Sequence, residues 1–404
     1  MPGKDKQIII LLFCVLFSIQ ACGQPEMTHK VKTNNELKVG AERMEEYLPL
    51  LKGKSIAVLA NQTSMVKGTH LVDTLLSLGI TIKKVFCPEH GFRGDADAGE
   101  HIKNYTDKKT GLSIISLYGN NKKPKASELR GIDIVIFDIQ DVGARFYTYL
   151  SSMHYMMEAC AENKVKFLVL DRPNPNGFYV DGPVLKNSAK SFVGMHTVPI
   201  VHGMTVAEYA GMINGEAWLA KGVKCDLNYV TVEGYDHNTL YQLPVKPSPN
   251  LPDMKAVYLY PSLCLFEGTI VSVGRGTDKP FQLIGHPGLA NASFSFTPKS
   301  IPGASKNPPY KGIPCYGYDL TEFGENFIEN GPKIYLKWLI DTYNNTAAKS
   351  DYFNDFFNRL AGNTELKQQI IEGVAEEDIR RSWAEDLNKF KAVRQKYLLY
   401  KDFE

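Results

Sequence analysis

Three short segments concentrate carboxylates, arginines and amides: Cys87-Pro88-Glu89-His90-Gly91-Phe92-Arg93-Gly94, Asp138-Ile139-Gln140-Asp141-Val142-Gly143-Ala144-Arg145-Phe146-Tyr147 and Asp171-Arg172-Pro173-Asn174-Pro175-Asn176-Gly177. Any one of them alone reads equally well as a turn whose aspartate caps the next helix. Three of them, each following a Val/Ile/Leu/Phe run, favour a shared site holding Glu89, Asp138, Gln140, Asp141, Arg145, Asp171 and Arg172. Carboxylates beside arginines, without a phosphate-binding loop, suit acid/base work on a sugar or an amide. Glycoside hydrolysis needs one carboxyl kept protonated as general acid and a second group that stabilises or attacks the cationic centre. Glu89, directly after an apolar run and beside Pro88 and Phe92, is the first candidate for the acid, with His90 as a neighbour that orients it. Asp138 and Asp141 are candidates for the second carboxyl.

Only a particular scaffold brings these segments together. Ser55 to Leu59, Ile82 to Phe86, Leu112 to Leu117, Asp133 to Phe137 and Lys166 to Leu170 read as strands. Helical spacing fills His70 to Leu78, about Tyr147 to Glu162, and Thr205 to Leu219, where Thr205 and Glu208 form a capping box. Continuous apolar strands alternating with helices predict a buried parallel sheet, and ligands of such sheets bind beyond the carboxyl ends of the strands. From about residue 250 the texture turns to proline- and glycine-rich loops with short strands. After Leu320 it becomes helical, ending in a stripe of Ile379, Trp383, Leu387 and Phe390. The fold class expected is α/β: a Rossmann-like parallel sheet flanked by helices over 41–255, a smaller α+β domain over 256–404, and a cleft between them.

Other classes are poorly supported. The formal charge is +2, from 46 basic and 44 acidic residues, so no basic field exists to hold nucleic acid. There is no G-x-S-x-G elbow and no H-E-x-x-H pair. A zinc site from His90, His202 and a carboxylate is a minor alternative. Gly274-Arg275-Gly276 lacks the third glycine of a dinucleotide fingerprint, so neither NAD nor any other cofactor is expected. Cys87, Cys160, Cys225, Cys264 and Cys315 are widely spaced and read as buried thiols. The N-terminus has lysines within Met1 to Lys6, an apolar run from Ile8 to Ile19, and Ile19-Gln20-Ala21-Cys22. This is the pattern of a lipoprotein signal peptide over 1–21, with Cys22 as the lipidated residue and 22–40 as a tether. The expected location is the cell envelope, membrane-anchored and facing the periplasm.

Longer motifs make the reading specific. The strings Glu89-His90-Gly91-Phe92-Arg93-Gly94, Gln140 to Tyr149, Asp171-Arg172-Pro173-Asn174-Pro175, Val180-Asp181-Gly182-Pro183 and His202-Gly203-Met204-Thr205 resemble those of one family. So do Pro247-Ser248-Pro249-Asn250, Cys264-Leu265-Phe266-Glu267-Gly268-Thr269, Gly274-Arg275-Gly276-Thr277 and Tyr397-Leu398-Leu399-Tyr400. The family is the exo-β-N-acetylmuramidases, glycoside hydrolase family 171, formerly grouped as a domain of unknown function. Ile270 departs from the polar residue expected there. The resemblance implies release of N-acetylmuramic acid from the non-reducing ends of peptidoglycan fragments, with Glu89 as the matching glutamate. It also implies Glu267 as a further catalytic candidate from the other side of the cleft. Muramic acid carries a lactyl carboxylate suited to an arginine fork, for which Arg93, Arg145, Arg172 and Arg275 are candidates. Tyr147, Tyr149 and Phe92 are candidates for stacking on the sugar, and Asn174, His202 and Asn250 for bonding its hydroxyls or N-acetyl group. The competing readings are a peptidoglycan amidase or deacetylase and a non-catalytic muropeptide-binding lipoprotein.

Overall fold

A computed structural model describes residues 30–31, 37–94, 103–289 and 292–404. The signal segment, Cys22 and most of the tether lie outside the described residues. Helix α1 (Met44–Leu51) leads into β1 (Ser55–Ala60), followed by α2 (Leu71–Ser77), β2 (Thr81–Cys87), β3 (Tyr105–Thr106), β4 (Ser113–Ser116) and the single turn α3 (Ala126–Leu129). Then come β5 (Ile134–Asp138), α4 (Tyr149–Asn163), β6 (Lys166–Leu170), α5 (Val206–Gly215) and β7 (Leu227–Val230). These strands form one sheet in the order β7-β6-β5-β1-β2-β4-β3, parallel throughout except for the edge strand β3. The α/β expectation holds, with β3 and β7 as strands the sequence pattern did not reveal.

Both faces of the sheet are buried, which is why its strands carry uninterrupted apolar runs. Ala57, Leu59, Val135, Phe137, Phe167 and Val169 pack with α4, α5 and the C-terminal half. Ile56, Val58, Ile136, Leu168 and Leu170 point the other way, towards α1 and α2. Helix α5 starts where the capping box predicted: Thr205 Oγ1 accepts the Glu208 N–H, and a Glu208 carboxylate oxygen accepts the Thr205 N–H.

The second half opens with α6 (Met254–Leu263), which runs into a 3-10 turn over Cys264–Gly268. Reading this region as loops missed α6 because Pro261 lies inside it. Proline has no N–H for the carbonyl four residues back. That carbonyl, on Val257, accepts Asn176 Nδ2 instead, at 3.2 Å. Strands β8 (Leu283–His286), β9 (Phe294–Phe296) and β10 (Cys315–Asp319) make a small antiparallel sheet with β10 central. Short helices follow, among them α7 (Thr321–Glu325), α8 (Lys337–Asn345), α9 (Phe357–Ala361) and α10 (Glu365–Ile371). The predicted closing stripe spans two helices, α11 (Glu376–Ser382) and α12 (Ala384–Arg394), broken at Trp383. Ile379, Trp383 and Phe390 are still buried, so the stripe packs as expected although the helix does not run through it.

Candidate active site

The chain leaves β1 for β2 and β4 on one side, then returns to lay β5 and β6 on the other. This reversal makes β1 the switch point, where the loops beyond the carboxyl ends diverge and leave a crevice. The segment after β2 turns sharply: His90 has φ 69° and Gly91 φ 79°. A left-handed histidine is uncommon, and such conformations cluster at functional sites. The turn presents Glu89 and His90 to a cavity of about 240 Å³. Tyr118, at the end of β4, hydrogen-bonds Glu89; burial, and then the Glu89 charge, pushes its phenol up to about 12. Ser248 Oγ lies 3.4 Å from His90 Nε2.

The segment after β5 supplies the next wall. Asp141 Oδ1 accepts the Gly143 N–H at 2.7 Å. Gly143 has φ 77°, and a Cβ there would lie 2.2 Å from Asn174 Oδ1, so glycine is required. The tightened turn brings Phe146, Tyr147, Thr148 and Tyr149 to the cavity. Tyr147 and Tyr149 pack edge to face and both donate to the Pro247 carbonyl, at 2.7 and 3.3 Å. That anchors the loop carrying Ser248 and Asn250, whose Nδ2 donates to the Ala304 carbonyl.

The far wall comes from the second half: Tyr260 of α6, Glu267 of the 3-10 turn, Arg275, Phe281 and Phe356. A Cβ on Gly268 would lie 2.4 Å from Phe357 Cα, so the residue after Glu267 must be glycine for the 3-10 turn to meet α9. Glu267 Oε1 accepts from Arg275 Nε at 2.8 Å and pairs with Nη2 at 2.7 Å.

Of the predicted site residues, the cavity gathers Glu89, His90, Tyr147, Tyr149, Asn250, Glu267 and Arg275. The others do not line it, and each has a structural occupation. Asp138 and Arg172 form a buried bidentate pair at 2.6 and 2.9 Å. Arg93 bridges Asp73 and Asp107, holding the Asp107 carboxyl down at about 2. Gln140 Nε2 donates to the carbonyls of Asp141 and Pro173. Asp141 is itself buried, its Oδ2 without a partner among the described residues, and burial raises its carboxyl to about 7. Asp171, raised to about 7 by burial, accepts from Tyr400 and from the Ala207 N–H in the first turn of α5. Asn174 ties the Met204 carbonyl to the Asn176 N–H. His202 is buried against Tyr209, accepts the Met204 N–H and is lowered to about 3 by burial.

Arg145 was a candidate substrate arginine and is a buckle instead. Its Nη1 donates to the carbonyls of Pro183 and Val198 and its Nη2 to those of Leu360 and Ala361, all at 2.8–2.9 Å. Burial without a carboxylate partner lowers the guanidinium to about 9. Phe92 is likewise removed from any sugar: it is fully buried against His70. His90 lines the cavity and His202 does not, so they do not form the shared zinc site weighed above. Among the described residues no three His, Cys, Asp or Glu side chains group as metal ligands.

Residue typing missed Tyr118, Thr148, Tyr260, Phe281 and Phe356, and singled out Ser248 only as part of a motif. Tyr118 had a usable signal, since it follows a strand end as Glu89 does. The aromatic residues of the far wall had none, because half the sequence separates them from Glu89.

A switch-point crevice walled on its far side by the second half, with Glu89 on one wall, Glu267 and Arg275 on the other and aromatic rings around them, is the arrangement of an α/β protein that acts on a small polar molecule. Comparison with known proteins specifies it. The N-terminal and C-terminal models of the exo-β-N-acetylmuramidase NamZ family match residues 56–255 and 258–400. The chain belongs to that family of glycosidases. It is 37% identical to the peptidoglycan β-N-acetylmuramidase NamZ of Bacillus subtilis (strain 168), over 94% of this chain and 95% of that one. Two crystal structures of DUF1343 family proteins from Bacteroides fragilis share the fold. One is 47% identical with a TM-score of 0.84, the other 28% identical with a TM-score of 0.75. Each alignment covers 91% of this chain and 99% of the other.

Proposed function

We propose that the chain releases terminal β-linked N-acetylmuramic acid from the non-reducing ends of peptidoglycan fragments, with Glu89 as general acid/base. The observation that carries this reading is the cavity of about 240 Å³ with Glu89 in its wall at the switch point of the sheet. It is smaller than the roughly 300–1,000 Å³ of pockets for drug-sized ligands. Its size suits a single amino sugar, and a pocket with room for one terminal residue fits exo-action. Glu89 sits two residues beyond β2, where the strand end sets its position at the mouth of the crevice. Tyr118, from beyond β4, and the adjacent His90 flank it.

The enzyme acts in the cell envelope, anchored through a lipid on Cys22 and facing the periplasm. Support comes from the apolar run that ends in Ile19-Gln20-Ala21-Cys22. Labelled palmitate is expected in the wild-type protein and not in Cys22→Ala; equal labelling would remove the anchor from the account.

The activity test presents the protein with a chromogenic β-N-acetylmuramide and the matching β-N-acetylglucosaminide. Release from the muramide alone is expected. Release from neither, by a folded protein, would return the site to an amidase or a binding protein.

A further inference from the structure

Four arginines are candidates for gripping a substrate carboxylate, and the structure separates them. Arg93, Arg145 and Arg172 are engaged by protein groups and do not line the cavity. Among the described residues that line it, Arg275 is the only arginine or lysine.

The way Arg275 is held matters more than its presence. Nε and Nη2, the side-on edge of the guanidinium, both meet Glu267 Oε1. The Phe281 ring lies 5.1 Å from the guanidinium carbon, so the plane is fixed from a second direction. The end-on edge, formed by Nη1 and the second Nη2 hydrogen, has no protein partner among the described residues. Two parallel N–H groups on a fixed plane match the two oxygens of a carboxylate. Glu267 is correspondingly committed: Oε1 holds the arginine, and Oε2 accepts the Cys264 thiol at 3.7 Å. With one oxygen on the guanidinium and the other on the thiol, the carboxylate fixes the orientation of Arg275.

We propose that Arg275 determines the specificity of this cavity by binding the lactyl carboxylate of the terminal sugar end-on, and that Glu267 is a positioning residue for Arg275 rather than a second catalytic carboxyl. The inference rests on the muramidase reading above and names the substrate group that the site selects. A sugar lacking the carboxylate leaves the fork unfilled and forgoes two charge-assisted bonds.

The test compares the chromogenic muramide with its lactyl methyl ester, which keeps the shape and removes the charge. The wild type is expected to prefer the free acid by about 100-fold in kcat/KM, the scale of a charge-assisted bidentate contact. In Arg275→Gln that preference falls to near unity, with the loss on the muramide carried by KM. Arg275→Lys, which keeps the charge without the fork, retains part of the preference. It decides the matter by the same ratio if the glutamine variant melts early. Glu267→Gln weakens the preference while kcat stays within about tenfold of wild type. Preference surviving in both Arg275 variants, or a wild type indifferent to the ester, overturns the specificity role. Loss of kcat by more than about a thousandfold in Glu267→Gln at unchanged KM overturns the positioning role. A wild type that releases nothing from either substrate removes the muramidase reading itself, a result distinct from the others.

Discussion

Replacing Arg145 with methionine should unsettle the fold rather than the recognition of substrate. The guanidinium bonds four carbonyls from three stretches of chain, joining the segment after β5 to Pro183, Val198 and the end of α9. Methionine fills much of the volume and makes none of these bonds. All four carbonyls lose Arg145, but the Val198 carbonyl keeps the Leu185 N–H, so the cost falls on the other three. At about 1 kcal/mol for each buried acceptor left unpaired, the loss is about 3 kcal/mol. Removing a buried charge that has no carboxylate partner gives some of this back, so the figure is an upper range. The assay is the unfolding free energy from a urea titration, run beside kcat/KM on the muramide well below the melting temperature. A fall of roughly 2–3 kcal/mol with KM within a few-fold of wild type is expected. Wild-type stability with KM raised by two orders of magnitude would refute the reasoning and restore Arg145 to the substrate.

Two further perturbations follow from the same packing. His202 is lowered to about 3 by burial, so the unfolded chain binds a proton there that the folded chain does not as pH falls from about 6.5 towards 3. Stability is therefore lost through that window by up to about 1.4 kcal/mol per pH unit, and His202→Gln should flatten the slope of unfolding free energy against pH; an unchanged slope would remove His202 as the cause. Gly268→Ala places a Cβ 2.4 Å from Phe357 Cα and 2.8 Å from its backbone nitrogen. Backbone cannot rotate aside, so the 3-10 turn and α9 must part, at about 1–3 kcal/mol. Calorimetry should show the lower melting temperature, and a variant that melts like wild type would contradict the close approach.

The sheet was legible because burial on both faces leaves a simple trace, as in Ile56 to Ala60 and Ile134 to Phe137. The Thr205–Glu208 box marked the start of α5 for an equally local reason. Helix α6 was not legible, since Pro261 is a breaker in sequence and only Asn176, distant along the chain, supplies the bond that relieves it. The site divides along the same line. Glu89 could be found because a strand end dictates its position. The charges of Asp138, Arg172, Arg93 and Arg145 look identical in sequence whether they meet a sugar or each other. Their partners Asp73, Asp107 and the Leu360 carbonyl are set by tertiary packing alone. Glu267 and Arg275 come from the second half, and only their motifs, not any pattern of periodicity, mark them in the sequence.

The central claim is that Glu89 carries the proton to and from the glycosidic bond. Single-turnover release from the chromogenic β-N-acetylmuramide by Glu89→Gln, beside wild type and with melting curves for both, tests it most directly. Glutamine keeps the size and hydrogen-bonding reach of the side chain but cannot exchange a proton. The account predicts a fall of about 10²–10⁴-fold in the single-turnover rate constant with an unchanged melting temperature. A Glu89→Gln enzyme that turns over at the wild-type rate would contradict it.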